Sequence, residues 1–431
     1  MIERQRIEIT GQVQGVGFRP AVYRLARALG LTGTVWNDTR GVTVELQGPK
    51  EQIDAFVARL QSGPDKPPLA EIQSCRAVAV ELRQSEAGFT IERSDSEGTA
   101  LSRVTADIAT CADCLAELRD ARDFRYRYPF INCTNCGPRY SIVKTIPYDR
   151  PNTTMSVFQM CERCAEQYAD VTDRRFHAQP NACPVCGPQV TLCTADGRPV
   201  AVKEPIAETA IRLKSGRIAA VKGLGGFHLA VDALNPEAVQ RLRRRKRRDH
   251  KPFAMMAASV EKVRDFAVVS EQARELLESA QSPIVLLPKK AGARIATSVA
   301  PGVNTYGFML CYAPLHFLLF AEGIEVLVMT SGNISDEPLI CRNTAAVERL
   351  GSVADAFVMH DRQIYRQVDD SVVQFVDGGP ALLRRARGYV PTPVLSKRSS
   401  PADILAAGPD MKNTFCLAKK NQLICSEHIG D

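Results

Sequence analysis

Hydrophobic and polar positions along the first ninety residues follow two periods in turn. RIEITGQV (6–13) reads as a strand, PAVYRLARALG (20–30) as an amphipathic helix closed by Gly30, and GTVWND (33–38) and GVTVELQG (41–48) as strands joined across Thr39 and Arg40. A second helix, from about Lys50 to Gln61, stops before the breaker run SGPDKPPLA, and strands follow near 71–82 and 87–92. The order βαββαβ predicts a ferredoxin-like sandwich, an α+β unit.

Residues 94–107 read as a linker into a cysteine-rich segment. From about 200 to 390 the pattern changes to apolar runs (RIAAVKGLGGFHLAVDA, SPIVLLP, IEVLVMTSGN, AFVMH) separated by helical stretches such as EAVQRLRRRKRRD, which predicts one α/β domain. PTPVLSKRSSPAD then reads as a second linker, and MKNTFCLAKK and LICSEHIGD as two strands too short to bury a core of their own. The expected division is therefore 1–92, 93–195, 196–390 and 391–431.

Composition agrees with several folded domains. A length of 431 residues exceeds what one core supports, and 45% hydrophobic with 24% charged residues excludes long disorder, collagen and a coiled-coil rod. No run of ~18 uncharged apolar residues occurs, and MIERQRIEITGQ lacks the apolar stretch of a secretory signal, so a cytoplasmic protein without a membrane span is expected.

Eight of the fourteen cysteines fall in four C-x-x-C pairs. Cys111, Cys114, Cys133 and Cys136 recur fifty residues later as Cys161, Cys164, Cys183 and Cys186, and Gly-Pro follows the second pair of each copy. Two such knuckles complete a closed tetrahedral sulfur site, so two structural Zn²⁺ ions are expected rather than a redox disulfide. Pairing within each repeat is the expected arrangement, with cross-pairing between repeats left open; His177, beside four sulfurs, reads as a surface or core histidine. Eight thiolates around two Zn²⁺ would bring the formal charge of +7 to +3, so overall charge does not argue for nucleic acid.

Between the first strand and helix lies VQGVGFR. Gly15 and Gly17 carry no Cβ to keep backbone N–H groups from converging on an anion, the helix adds its positive end, and Arg19 can fork two donors onto phosphate oxygens. Gln14, Gly15, Val16, Gly17 and Phe18 thus read as a phosphate-binding loop. The block VQGVGFRPAVYRLARALGLTGTVWNDTRGVTVELQG closely resembles acylphosphatases; the resemblance implies that Arg19 binds phosphate and Asn37 orients the attacking water.

The run LRRRKRRDHKP (242–252) by itself reads as a solvated basic face or a nucleic-acid patch. KGLGGFH follows a strand, where its glycines allow close backbone approach to a ligand, and TSGN ends another. Taken with MTSGNISDEP and DDSVV, these segments resemble the YrdC-like domain that forms carbamoyl-adenylates. That resemblance implies a triphosphate held by Arg245, Lys246, Arg248 and Lys251, while Ser331 and Asn333 contact nucleotide and acyl group; a Mg²⁺ bridging the phosphates is expected chemically, with no carboxylate singled out as its ligand.

With INCTNCGPRYSIV and LRRARGYVP, the whole chain resembles the HypF family of hydrogenase-maturation carbamoyltransferases. Implied by the resemblance are cleavage of carbamoyl phosphate in the first domain and adenylation of the carbamate by ATP in the third. The carbamoyl group would then pass to the C-terminal cysteine of HypE, to become cyanide on the iron of [NiFe] hydrogenase. The family continues into an actin-like transferase domain with a histidine-based metal site. This sequence stops as that domain starts, and His428 alone cannot make the site, so a truncated form unable to complete transfer to HypE is expected. Cys311 and Ala313 also depart from the family's usual residues. The competing reading is a zinc-stabilised RNA-binding module, against which stands the lack of aromatics interleaved in LRRRKRRDHK.

Overall fold

A computed structural model describes residues 2–38, 40–63, 65–84, 86–92, 104–335, 337–409 and 413–429. Most of the expected linker at 94–107, Thr39 of the strand connection and the first residues of MKNTF lie outside them. The chain divides into two compact units, residues 1–105 with 132–186, and residues 106–131 with 187–431. Residues 106–131 of the cysteine-rich segment fall in the second of these units and 132–186 in the first.

In the first unit, β1 (Ile2–Gln12), α1 (Phe18–Ala28), β2 (Thr32–Asn37), β3 (Val42–Pro49), α2 (Lys50–Ser62), β4 (Glu71–Ala79) and β5 (Phe89–Ile91) follow in order. The sheet order β4-β1-β3-β2-β5 is the expected ferredoxin-like arrangement, with β5 added parallel to β2 at one edge. Alternation puts Ile7 and Ile9 on the covered face of β1, and helical spacing puts Val22 and Leu25 of α1 and Ile53, Phe56 and Leu60 of α2 against them. Each such side chain contributes about 1.5–3 kcal/mol on burial.

The two cysteine repeats fold alike. Helices α3 (Ala112–Arg119) and α4 (Glu162–Ala169) start directly after Cys111 and Cys161. Each is followed by an aspartate, Asp123 or Asp173, whose carboxylate accepts the N–H of a buried arginine two residues on, Arg125 or Arg175, at 2.7 Å. Arg127 and His177 then occupy equivalent left-handed positions, φ 55° and 56°, and send their N–H groups back to Leu118 and Tyr168.

The second unit continues with β6 (Val190–Thr194), α5 (Pro205–Lys214), β7 (Ala219–Lys222), β8 (Phe227–Asp232), α6 (Pro236–Lys246), β9 (Ala254–Ala257), α7 (Val260–Arg264) and α8 (Glu271–Glu278). Then come β10 (Ile284–Pro288), β11 (Thr305–Leu310), α9 (Pro314–Ala321), β12 (Val326–Ser331), α10 (Asn343–Leu350), β13 (Ala356–His360), β14 (Val372–Val376) and β15 (Gly379–Arg384). They build a ten-stranded mixed sheet, β15-β14-β10-β11-β9-β12-β8-β7-β13-β6. The apolar runs of the sequence are its central strands, fully buried at Val231, Met255 and Val328. A four-stranded sheet from β16 (Val394–Leu395), β17 (Ile404–Ala407), β18 (Phe415–Lys419) and β19 (Gln422–Cys425), ordered β16-β19-β18-β17, closes the chain. Among the described residues no helix is long and apolar enough to cross a membrane.

Candidate functional site

The first unit holds a small cleft where β1 turns into α1. Gly15 and Gly17 both adopt φ 74°, a conformation that glycine enters without steric cost, and Gly17 caps α1, so successive N–H groups face one point at the helix start. Gln14 fixes the loop: its Nε2 donates to the carbonyls of Asp38 and Gly41 at 2.8 and 2.7 Å, and its Oε1 accepts the N–H of Tyr148 at 3.1 Å. Asp38 in turn accepts from the N–H groups of Arg40 and Gly41 and from the Thr43 hydroxyl, which sets the turn after Asn37. Of the loop residues, Val16 points into the core and is 1% exposed, while Gln14, Gly15, Gly17 and Phe18 line the cleft.

Arg19 and Asn37 share that cleft. With its amide oriented to match the donors around it, Asn37 offers its oxygen to Arg19 Nη2 and Nε, each at 3.2 Å. Arg19 Nη2 also donates to Asp149 Oδ1 at 2.7 Å. The rest of the lining includes residues that sequence reasoning missed: Thr134, Arg139, Tyr148, His177 and Gln179. Arg139 donates from Nε to the Gly15 carbonyl at 2.7 Å and from Nη2 to the Cys133 and Thr134 carbonyls, tying the loop to a cysteine knuckle. Burial first, then the Arg19 guanidinium, lowers His177 to about 4, so its ring is neutral at pH 7.

The cysteines assemble within each repeat: the sulfurs of Cys111, Cys114, Cys133 and Cys136 lie within 4.8 Å of one another, as do those of Cys161, Cys164, Cys183 and Cys186. Separations of 3.7–3.8 Å, as between Cys133 and Cys136 or Cys161 and Cys183, match the edge of about 3.8 Å that four Zn–S bonds of ~2.3 Å require. Two Cys₄ clusters thus fit two zinc sites, with no fourth position left for water.

A larger cavity, about 580 Å³, opens in the second unit. Ile284, Leu286, Met329 and Val372 give it an apolar floor, Arg248, Lys251 and Ser331 a polar rim, and Asp369, Asp370, Arg384 and Arg385 a charged wall. The basic run of the sequence is only partly a solvated face: Arg244, Arg245, Arg247 and Lys251 are exposed, while Arg243 and Lys246 are buried. Arg243 is folded inward, donating to the carbonyls of Arg248, Asp249 and Lys251 and so shaping the loop that presents Arg248 and Lys251. Lys246, wholly buried, donates from Nζ to the carbonyls of Ser331 and Asn333 and to Asn333 Oδ1 at 2.6–2.7 Å. Lys246 and Asn333 therefore stand together behind the Ser331 wall. Arg245 lies elsewhere, paired with Asp355 at 2.7 Å, and does not line the cavity.

The glycines of KGLGGFH serve packing instead of a ligand. A Cβ on Gly225 would lie 2.2 Å from the Val368 carbonyl oxygen and one on Gly226 2.5 Å from the Leu339 side chain, and none of the three lines the cavity. The segment's contribution is His228, whose Nε2 lies 2.8 Å from Asp370 Oδ2. Arg387, from LRRARGYVP, donates to Asp370 Oδ1 at 2.6 Å and stacks 3.4 Å over Tyr312. Burial alone would raise the Asp370 carboxyl; Arg387 and His228 outweigh it and hold it well below the usual carboxylate range.

Family models match the chain in four places: acylphosphatase at 5–91, the HypF finger at 110–143 and 160–193, the Sua5/YciO/YrdC family described as telomere recombination at 212–386, and the HypF Kae1-like domain at 399–431. The carbamoyltransferase HypF of Rhodobacter capsulatus is 48% identical over 99% of this chain and 56% of its own, and HypF2 of Cupriavidus necator 46% over 99% and 55%. Among solved structures, full-length HypF in the phosphate- and nucleotide-bound form superposes with a TM-score of 0.95 at 46% identity, covering all of this chain and 56% of that one. HypF of T. kodakarensis gives 0.92 at 43%, covering 55% of that chain. The chain thus spans little more than half the length of these relatives.

Proposed function

The chain belongs to the HypF carbamoyltransferase family, and from that premise we propose that it hydrolyses carbamoyl phosphate in the first cleft and adenylates the carbamate with ATP in the second cavity. The observation that carries this is the pairing, in one chain, of a small anion cradle around Arg19 and Asn37 with a nucleotide-sized cavity rimmed by Arg248, Lys251 and Ser331. Comparison with a phosphate- and nucleotide-bound relative supports the same pair of ligands.

In the cleft, the phosphate dianion rests on the N–H groups of the 15–17 loop and on Arg19, displacing the hold of Asp149. Asn37 directs a water in line with the bond to the carbamoyl oxygen. The water oxygen bonds to phosphorus, the carbamate departs with the electron pair, and the water's proton ends on the released phosphate. Acyl phosphates are already activated, so positioning and charge neutralisation suffice without a side-chain nucleophile.

In the cavity, a carbamate oxygen attacks the α-phosphorus of ATP to give carbamoyl-AMP and pyrophosphate. Arg248 and Lys251 hold the phosphates, Ser331 meets nucleotide and acyl group, and Lys246 and Asn333 keep that wall in place. A Mg²⁺ bound with the nucleotide would neutralise charge on its phosphates beside Arg248 and Lys251. HypE is the acceptor protein in this reading. The RNA-binding alternative loses ground because Arg243 and Lys246 of its basic run are committed inside the protein and Arg245 is paired with Asp355.

Phosphate release from carbamoyl phosphate tests the first step. Arg19→Ala is expected to lower it at least about hundredfold, since a charged, multiply bonding donor is lost at the developing charge. Turnover within threefold of wild type would refute the assignment.

A further inference from the structure

The cleft of an enzyme that only bound phosphate would need nothing beyond the loop, Arg19 and Asn37. Here further side chains line the cleft beside them, and one is a half-buried histidine. His177 occupies the position that Arg127 holds in the first repeat, with the same left-handed backbone, so the conformation belongs to the module and only the side chain has changed. In the first repeat Arg127 reaches Glu322 at 2.7 Å; in the second the side chain is an imidazole in the cleft.

Its placement is fixed from three sides. Gln179 Nε2 donates to the His177 carbonyl at 2.8 Å, and the rings of Phe176 and Tyr168 lie 4.6 and 4.9 Å from the imidazole. Gln179 is itself held, its Oε1 accepting from the Arg150 N–H at 2.8 Å and the Tyr168 hydroxyl at 3.1 Å. The phosphate end of a substrate is already accounted for by the loop and Arg19, so these side chains meet the other end.

Resting on the reading of the cleft given above, we propose that His177 is the specificity-determining residue for the acyl group, selecting a carbamoyl over an acetyl phosphate. A neutral imidazole keeps one acceptor nitrogen, which complements the N–H of a carbamoyl amide; the methyl group that replaces the amide in acetyl phosphate has no donor to offer it, while the carbonyl oxygen is common to both substrates. Lowering of His177 to about 4 keeps the acceptor nitrogen available at pH 7.

Steady-state phosphate release from carbamoyl phosphate and from acetyl phosphate at pH 7 tests this, using the zinc-loaded chain and the variants His177→Phe, His177→Gly and His177→Gln. Phe keeps the ring packing, Gly suits the left-handed backbone whatever happens to folding of the first variant, and Gln retains a donor and an acceptor. In Phe and Gly, kcat/KM for carbamoyl phosphate is expected to fall about tenfold, the worth of one hydrogen bond, with acetyl phosphate changed less than threefold. Gln is expected to keep most of the preference. Equal losses on both substrates, or no loss on carbamoyl phosphate, would overturn the assignment while leaving the cleft's reading intact. Wild-type protein inert toward carbamoyl phosphate would overturn both.

Discussion

Arg19 is engaged before any substrate arrives, through Asp149 at 2.7 Å and the Asn37 amide at 3.2 Å. Both partners orient the guanidinium, but only Asp149 competes with phosphate for it. Asp149→Asn should therefore lower KM for carbamoyl phosphate severalfold with little change in kcat, and a raised KM would show that orientation outweighs competition. Three histidines govern another property, among them His360, which burial holds well below its ordinary value. Burial lowers His316 to about 3 and His177 to about 4 from an ordinary value near 6.5. Between those values the unfolded chain binds protons that the folded chain refuses, so stability is full above pH 6.5 and falls as pH drops toward 4. Denaturant midpoints at pH 5 and pH 7 should show the fall, and His316→Gln should flatten it; an unchanged slope would contradict the assignment of cause. At this scale the loop residues and Arg19 were legible because they are contiguous and glycine-marked. Asp149, Arg139 and His177 were not, because packing brings them in from more than a hundred residues away. Superposing the two cysteine repeats, which aligns His177 with Arg127, was the available signal.

Among the elements, the cysteine modules were read most fully, since an interval of fifty residues and a fixed knuckle spacing leave few geometries open. Their structure adds that the knuckles buttress the cleft, through Arg139 on the Cys133 and Thr134 carbonyls. Cys133→Ser is therefore expected to reduce zinc from two ions per chain to one and to lower phosphate release at least tenfold, measured by elemental analysis beside turnover. Retention of two zincs would contradict the clusters. The glycine run 223–226 misled in the other direction. Its residues remove side chains where β7 and β8 meet the segments around Val368 and Leu339, a contact invisible in a local pattern. Gly225→Ala should destabilise the second unit by about 2–3 kcal/mol, seen as an earlier calorimetric transition, since backbone would have to move. The helix α6 shows the same limit: its cations looked equivalent in sequence, yet the helical turn buries Arg243 and Lys246 and sends Arg245 to Asp355.

For the whole molecule, fold class followed from periodicity: period two with short helices gave the ferredoxin-like part, and long apolar strands gave the large mixed sheet. Its partition into compact units did not follow, because residues 106–131 pack with the second unit although the repeat makes them look like part of a separate domain. The proposed function requires two separate steps, release of carbamate from carbamoyl phosphate and its adenylation, to be carried by one chain. Exchange of labelled pyrophosphate into ATP, with carbamoyl phosphate as the carbamate source, reads both sites at once. The expected result is exchange by the zinc-loaded protein, its loss in Arg19→Ala, and its recovery in that variant when concentrated ammonium bicarbonate supplies carbamate directly. Exchange at the full rate by Arg19→Ala on carbamoyl phosphate alone would contradict it.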